Sequence, residues 1–552
     1  MMEERIWWKE AVCYQVYPRS FNDSNNDGIG DINGIREKLD YLKDLGIDVI
    51  WVSPIFKSPN DDNGYDISDY QDIMDEFGTM GDFELLLKET HDKGMKLILD
   101  LVINHTSDEH PWFIESKSSK DNPKRDWYIW QEGKDGKEPN NWGSIFNGSA
   151  WERTKETDEY YLHIFSKKQP DLNWENEAVR SELYNMINWW FDKGIDGFRV
   201  DAITHIQKSF EDGDIPVEPG DEQYKAAFER YTNRPGILNH LRELRDETFN
   251  KYDIMTVGEA NGVSPDDAND WVGFDNGIFN MIFQFEHLGL WNTEDSGFDV
   301  IQYKNIMSKW QDQLEGIGWN ALFIENHDQP RLVSTWGDDE HYWYESATSH
   351  ATNYFLQKGT PFIYQGQEIG MTNYPFESLE DFNDVSVKNE IKLKEQNGED
   401  TSSLLNNLSK VNRDNSRTMM QWDNRAYAGF STTEPWFHVN PNYKTINVAD
   451  QLEDEHSVLN YYKRLVQLKK DYDVFNYGKY ELVDKDHKQI YTYKRILDNE
   501  EVIIMSNLTG EKATITYPLN IEKSKLLLHN YITIEDNNEL EPFETRVYRI
   551  EE

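Results

Sequence analysis

Short runs of β-branched and aromatic residues alternate with amphipathic stretches from residue 12 onward, and this alternation limits most what the chain can fold into. VCYQVYP (12–18) is mostly apolar and reads as a buried strand, GIREKLDYLKDLG (34–46) carries apolar residues at helical spacing and stops at Gly46, and DVIWVSP (48–54) is the next strand. A helix over 82–93, ended by Gly94, leads to the strand KLILDLVIN (96–104). The spacing then predicts a helix over 175–193 and strands GIDGFRVD (194–201), IMTVGEA (254–260), MIFQFE (281–286), NALFIENHD (320–328) and TPFIYQGQEIG (360–370). Strands separated by helices pair in parallel, because a parallel neighbour needs a crossover of that length. Eight such units fit a closed (β/α)8 TIM barrel, although spacing alone also allows an open doubly wound sheet, and the polar residues at the strand ends favour the barrel.

The period breaks twice. Residues 105–173 are rich in Trp, Asn, Lys and Pro without sustained helical periodicity, which predicts a small inserted domain after the third strand. Residues 371–425 are polar and rich in Asn and Asp, as in a late loop subdomain, and precede a helix over 457–470. Alternating segments such as QIYTYKRI and EVIIMSN then predict a C-terminal antiparallel β-sandwich over 476–552. The barrel would therefore comprise residues 1–104 and 174–475.

Composition narrows the partners. With 56 Lys and Arg against 102 Asp and Glu, the formal charge of −46 repels phosphate backbones and anionic lipid surfaces, so neither nucleic acid nor a membrane is expected. The start, MMEERIWWKEAV, has neither a basic n-region nor an apolar h-region, no apolar run approaches the roughly 20 residues of a membrane span, and the one cysteine, Cys13, cannot form an internal disulfide. The expectation is a cytoplasmic protein acting on small molecules as a monomer or weak homo-oligomer.

In a (β/α)8 barrel the chemistry sits at the C-terminal strand ends. Here those ends carry acids: Asp201 closes GFRVD, Glu259 closes the strand at GEA, Asp328 closes NALFIENHD, and Asp66 follows the second strand. One acid after a strand is ordinarily the N-cap of the next helix. Four, flanked by His105, Arg199 and His327, are better explained by catalysis, because crowded carboxylates raise one another's pKa and can leave one protonated beside one ionised. Glycoside hydrolysis needs that division of labour.

With these residues in place, DLVINH (100–105), GFRVD (197–201), GEA (258–260) and ENHDQPR (325–331) resemble, in order and spacing, the four signature regions of the α-amylase superfamily of glycoside hydrolases. QPDLN (169–173) is similar to its oligo-1,6-glucosidase branch. The resemblance implies Asp201 as nucleophile, Glu259 as general acid/base and Asp328 as the third carboxylate, with nucleophile and acid about 5 to 5.5 Å apart in a retaining mechanism. It also implies that Arg199 holds the nucleophile ionised, that Asp66 and Arg417 pair at the non-reducing glucose, and that Tyr65 stacks under its ring. His105, His327, Gln169 and Arg331 would contact the sugar. Phe146 and Phe165 would wall the pocket, or equally pack in a core. One departure is Met419, where the branch commonly has Pro, which puts the local loop shape in question.

DSNNDGIGD offers oxygens at alternating positions, from Asp23, Asn25, Asp27, the Ile29 carbonyl and Asp31, around a Gly turn. Such spacing suits a calcium loop or, more plainly, an Asx-rich turn. The segment follows a barrel strand as the metal loop of these glucosidases does, so a structural Ca2+, or Mg2+, is expected and no organic cofactor. HTSDEH lacks the HExxH spacing of a catalytic zinc site, and no phosphate loop or serine-hydrolase element is present.

The resemblance associates the residue after the nucleophile with linkage: Val in α-1,6 enzymes, smaller residues or Thr in α-1,4 enzymes. Ala202 therefore leans toward maltose and malto-oligosaccharides, and GEANG (258–262) resembles broad-acting members that also take isomaltose and sucrose. The alternatives are an oligo-1,6-glucosidase, a trehalose-6-phosphate hydrolase, more remotely a sucrose isomerase, and from another class a non-catalytic ectodomain of a transport complex, which would need a membrane anchor.

Overall fold

A computed structural model describes residues 5–211, 213–217, 223–292, 298–518 and 523–551. Eight strands form one wholly parallel sheet: β1 (Cys13–Val16), β2 (Val49–Val52), β3 (Lys96–Val102), β4 (Gly197–Asp201), β5 (Met255–Glu259), β6 (Met281–Phe283), β7 (Ala321–Leu322) and β8 (Thr360–Tyr364). The order is β6-β5-β4-β3-β2-β1-β8-β7, and β6 packs against β7 across the remaining seam, so the sheet closes as the expected barrel. Strands β1, β2, β4 and β8 are buried along their whole length, as expected where helices cover the outside and side chains fill the inside.

Local signals set the helix ends. The helix Met80–Asp92 begins at a Thr79/Asp82 capping box, and Glu177–Asp192 begins at Asn176, whose side chain accepts from the Ala178 N–H. The single helix expected over 34–46 is two, Ile32–Glu37 and Leu39–Leu45, because Lys38 leaves helical geometry (φ −103°, ψ 4°) before Gly46 ends the second at φ 95°. Strand β7 is only two residues long against the nine expected, and Phe323–Asp328 continues as irregular chain in which the Asn326 side chain accepts from the Asp328 N–H at 2.8 Å.

The segment after β3 carries a three-stranded antiparallel sheet (Trp130–Gln131, Trp151–Arg153, Tyr160–Leu162) and its own small core around Trp142, Trp151, Leu162 and Ile164. That core is completed from outside 105–173. Ile215, Ala227 and Tyr231, from the chain after β4, pack into it, and Lys225–Ala226 pairs in parallel with Trp142–Gly143. Residues 371–425 contain two helices, Val385–Asn397 and Leu404–Val411, around Phe376, Phe382, Val387 and Leu408.

Beyond the barrel, β9 (Lys479–Val483), β10 (Ile490–Leu497), β11 (Glu500–Asn507), β12 (Ser524–His529) and β13 (Thr545–Ile550) form an antiparallel sheet in the order β9-β10-β11-β13-β12, with a two-stranded ribbon, Ala513–Thr514 and Glu539–Leu540, beside it. Arg495 ties it to the barrel by donating to the carbonyls of Leu356, Phe475 and Gly478. Among the described residues no helix is long and apolar enough to cross a membrane.

Candidate active site

Sheet register assembles the centre. Arg199 on β4 lies opposite Asp100 on β3, and Asp201, two residues on, faces the same side of the strand. The Arg199 guanidinium is buried and meets three carboxylates: Nη1 donates to Asp201 Oδ1 at 2.6 Å and Asp100 Oδ1 at 2.9 Å, and Nη2 meets Glu259 Oε1 at 2.8 Å. Asp100 is further held by the Trp51 indole (3.2 Å) and the Tyr65 hydroxyl (3.0 Å). One cation thus tethers Asp201 and Glu259 side by side at adjacent strand ends.

Burial, and then the negative charge of Glu259, push the Asp201 carboxyl well above the ordinary range, with Arg199 pulling the other way. Burial likewise raises Asp100 to about 6 against the same arginine. Asp328 behaves oppositely. Burial resists its charge, but His327, Arg413 and Arg417 overcome that and hold it below the usual carboxylate range. Its Oδ1 accepts from Arg413 Nη1 (3.0 Å) and Arg417 Nη2 (2.9 Å), and its Oδ2 lies 3.2 Å from His327 Nε2. Burial lowers His327 to about 3, leaving it neutral near pH 7, so the two arginines supply the full charges. The Gln15 amide donates to His327 Nδ1 (2.8 Å), which leaves the ring proton on Nε2, facing Asp328 and the Tyr65 oxygen (2.6 Å).

Glu259's second oxygen accepts the backbone N–H of Ala202 at 2.7 Å. Ala202 sits in the left-handed region (φ 46°, ψ 29°), which costs a residue with a Cβ about 1 kcal/mol.

A cavity of about 210 Å3 opens over these groups. Asp201, Glu259, Asp328, Tyr65, His105, Phe146, Phe165 and Ala202, all anticipated from sequence, line it. Tyr65 has one face covered by the parallel ring of His327, 5.2 Å away between centroids. Phe146 and Phe165, 5.5 Å apart, come from the segment after β3. Other anticipated residues lie outside the lining. Arg199, His327 and Arg417 support the acids from behind, and Gln169 is buried against Asp62 (3.1 Å) and His105 (3.2 Å). Arg331 is fully buried, donating to the Gln365 and Ser416 carbonyls and meeting Glu325 at 3.3 Å, so it braces the chain rather than facing the cavity.

Asp66 and Arg417, expected together at the glucose, both lie outside the cavity lining. Asp66 accepts the backbone N–H groups of Asp61 (2.8 Å) and Asp62 (3.0 Å), closing the turn that presents Asp62. Asp62 lines the cavity and pairs with Arg413 at 3.1 Å, and Arg413 also reaches Asp328 and the buried Asp384. Both missed residues stand four positions before the ones chosen, in DDNGYD and RDNSR, where the same residue type recurs. Thr204, His205, Phe228, Asn261 and Phe285 also line the cavity without a sequence signal that marked them. Met419, the departure from the branch pattern, donates its N–H to the His438 carbonyl at 3.1 Å, a bond proline could not make.

At the 23–31 loop, Asn25 and Asp27 each accept the N–H two residues on (2.9 Å), Asp23 accepts from Asn25, Asn26, Gly28 and Ser431, and Asp31 from Ser24 and Gly34. The donor set is oxygen only, which suits a hard cation, while among the described residues no three His, Cys, Asp or Glu side chains are gathered as a metal cluster. A larger cavity, about 750 Å3, opens beside Trp8, Phe274 and Asn280 at the opposite, N-terminal barrel end, and its lining holds none of these acids.

The profile of the α-amylase catalytic domain matches residues 15–478. A probable oligo-1,6-glucosidase 3 of Bacillus subtilis (strain 168) is 56% identical, and an oligo-1,6-glucosidase of Parageobacillus thermoglucosidasius 52% identical, each over 99% of both chains. The crystal structure of Bacillus licheniformis trehalose-6-phosphate hydrolase superposes with a TM-score of 0.90 at 42% identity, covering 99% of this chain and 100% of that one.

Proposed function

The chain belongs to the α-amylase family of glycoside hydrolases, and from that premise we propose that it is a retaining, exo-acting α-glucosidase that releases glucose from the non-reducing end of short α-glucosides. The observation that carries this reading is the Arg199 bridge, which sets Asp201 and Glu259 side by side at the floor of a small cavity. Asp201 attacks the anomeric carbon while Glu259 gives its proton to the departing glycosidic oxygen, forming a glucosyl ester. Glu259, now ionised, takes a proton from water, the water oxygen bonds to the anomeric carbon, and Asp201 leaves as carboxylate. Asp328, kept ionised by two arginines, stabilises the positive charge that develops on the ring. Asp62 and Arg413 grip hydroxyls at the closed end.

For linkage, the relatives named oligo-1,6-glucosidase support short α-1,6-linked substrates. Ala202 favours a second reading, α-1,4 cleavage of maltose, with sucrose as a further substrate. A sugar phosphate is a poor fit, because among the described residues that line the cavity Arg413 is the one Lys or Arg, and its charge is already shared by Asp62, Asp328 and Asp384. We place a structural Ca2+, or Mg2+, at the 23–31 loop on its oxygen-only donors; it would brace the loop and takes no part in the reaction.

The test is to compare initial rates on isomaltose, maltose, sucrose and trehalose 6-phosphate while following the released glucose by NMR. Isomaltose or maltose turnover with α-glucose appearing first supports the reading. β-Glucose first, or no hydrolysis of any of the four, overturns it.

A further inference from the structure

The residue after the nucleophile is held in a conformation it does not prefer. Ala202 is buried at the cavity wall with φ 46°, a left-handed geometry that glycine adopts freely and alanine does not. Nothing in the local sequence calls for it: the next residues, Ile203–His205, make a short 3-10 turn with no side-chain cap. The consequence is directional. The N–H of the peptide joining Asp201 to Ala202 points across to β5 and donates to Glu259 Oε2 at 2.7 Å, while the left-handed torsion of Ala202 turns the following chain, Ile203–His205, away from that bond. Glu259 Oε1 is already on Arg199. Each carboxyl oxygen of Glu259 therefore has its own donor, one a side chain and one a backbone group, and both are anchored on β4.

Two anchors do what one cannot. The Arg199 contact holds only one oxygen of Glu259 and leaves the carboxyl free to rotate about that contact, although the guanidinium itself is fixed by Asp100 and Asp201. The second donor, fixed in the backbone, removes the rotation and sets the plane of the group that must hand a proton to the glycosidic oxygen. Strained geometry that persists at a site is explained by what it positions.

Resting on the glucosidase reading above, we propose that the backbone N–H of residue 202 is a positioning group for Glu259, so that this residue acts on the reaction through its peptide, separately from the way its side chain lines the cavity. The peptide governs how well a leaving group is protonated. The side chain governs which linkage fits.

The two are separable by experiment. Replacing Ala202 with its α-hydroxy analogue by cell-free suppression turns the N–H into an ester oxygen and leaves the methyl unchanged. Maltose and isomaltose have leaving groups that need a proton, whereas fluoride departs from α-glucosyl fluoride without one. The ester protein should lose about tenfold in kcat/KM on both disaccharides, the effect of one hydrogen bond to a charged group, and stay within about twofold of wild type in kcat/KM on the fluoride, because kcat/KM reports the steps up to the glucosyl ester and not its hydrolysis. Ala202→Val, which keeps the N–H, should shift the maltose to isomaltose ratio without lowering both disaccharides together against the fluoride. Parallel loss on disaccharides and fluoride in the ester protein, or no loss on either, overturns the proposal. If the ester protein does not fold, the amide resonance of residue 202 in protein labelled with 15N-alanine decides: it should move upfield in Glu259→Ala, and an unmoved resonance overturns the proposal. Wild-type protein that hydrolyses no α-glucoside overturns the glucosidase reading as well, whereas an active wild type with an unaltered ester profile removes only this inference.

Discussion

Arg413 holds Asp62 at 3.1 Å through one nitrogen and Asp328 at 3.0 Å through another, joining the acid of the β2 loop to the acid beyond β7. The loop acid that reaches the cavity is therefore Asp62, and Asp66 is the residue that shapes its turn. The two should separate in measurement. Asp62→Asn should lower kcat/KM on the preferred glucoside by roughly 10 to 100-fold with the melting temperature nearly unchanged, because it weakens a charge-assisted contact at the sugar. Asp66→Ala should do the reverse, leaving two buried N–H groups unpaired at a cost of about 1 to 3 kcal/mol each while folded protein keeps most of its kcat/KM. Loss of kcat/KM in Asp66→Ala with Asp62→Asn unaffected would reverse the assignment.

The nucleophile gives a pH signature. Asp201 must be ionised to attack, and its burial beside Glu259 raises its pKa. Activity should therefore fall with acidification at a higher pH than an ordinary carboxylate would give, and the acid limb of kcat/KM records it. Arg199 opposes the rise, so Arg199→Gln should move that limb to still higher pH and also lower the plateau. Asp201→Asn should reduce turnover by on the order of 10⁴-fold with the circular dichroism spectrum retained. An acid limb at the value of a free aspartate would contradict the first expectation, and near-normal turnover in Asp201→Asn would remove the nucleophile.

Asp66 also links pH to stability. Burial raises it to about 7, with the backbone N–H groups of Asp61 and Asp62 pulling it down. A carboxyl whose folded value lies above its unfolded value binds its proton more tightly in the native state. Its contribution is thus fully present below about pH 4 and is lost as pH rises through about 7, a change of a few kcal/mol. The acid-range contribution of Asp328 has the opposite sign, since its folded value is depressed. Between pH 5 and 8 the melting temperature of wild type should fall faster than that of Asp66→Asn, whose side chain cannot ionise. Parallel slopes would show that Asp66 does not titrate in this range.

How much of this is legible in the sequence depends on how local each signal is. The barrel strands announced themselves as short apolar runs ending in acids, and the helix starts at Thr79 and Asn176 follow from capping chemistry. The join at Lys38 and the short β7 were hidden because tertiary packing, not propensity, sets them. Ile215, Ala227 and Tyr231 sit far along the chain from the small core they complete, and no local pattern could connect them. Asp201 and Glu259 are legible because each ends a strand, and Asp328 because it closes an apolar run that continues past the short β7 as irregular chain. Asp62 and Arg413 were missed because each has a like residue four positions later, and only the folded turn shows which of the two faces the cavity.

The 23–31 loop allows a direct test of bound metal. Asn25 and Asp27 are exposed and each commits one oxygen to a backbone N–H two residues ahead, leaving Asp27 a second carboxylate oxygen for a cation. The loop is also stitched to the chain near 431, where Ser431 donates to Asp23 at 2.6 Å and Thr433 to the Asn26 carbonyl at 3.1 Å. A cation bound there acts only on the folded state, so it must raise stability by mass action, about 2.7 kcal/mol at a hundredfold excess over Kd. Protein stripped with EDTA should gain melting temperature on adding Ca2+, the gain should vanish in Asp27→Ala, and kcat at a temperature well below melting should be the same with and without the ion. A melting temperature indifferent to both EDTA and Ca2+ would leave the loop as an Asx-turn ladder held by its own hydrogen bonds.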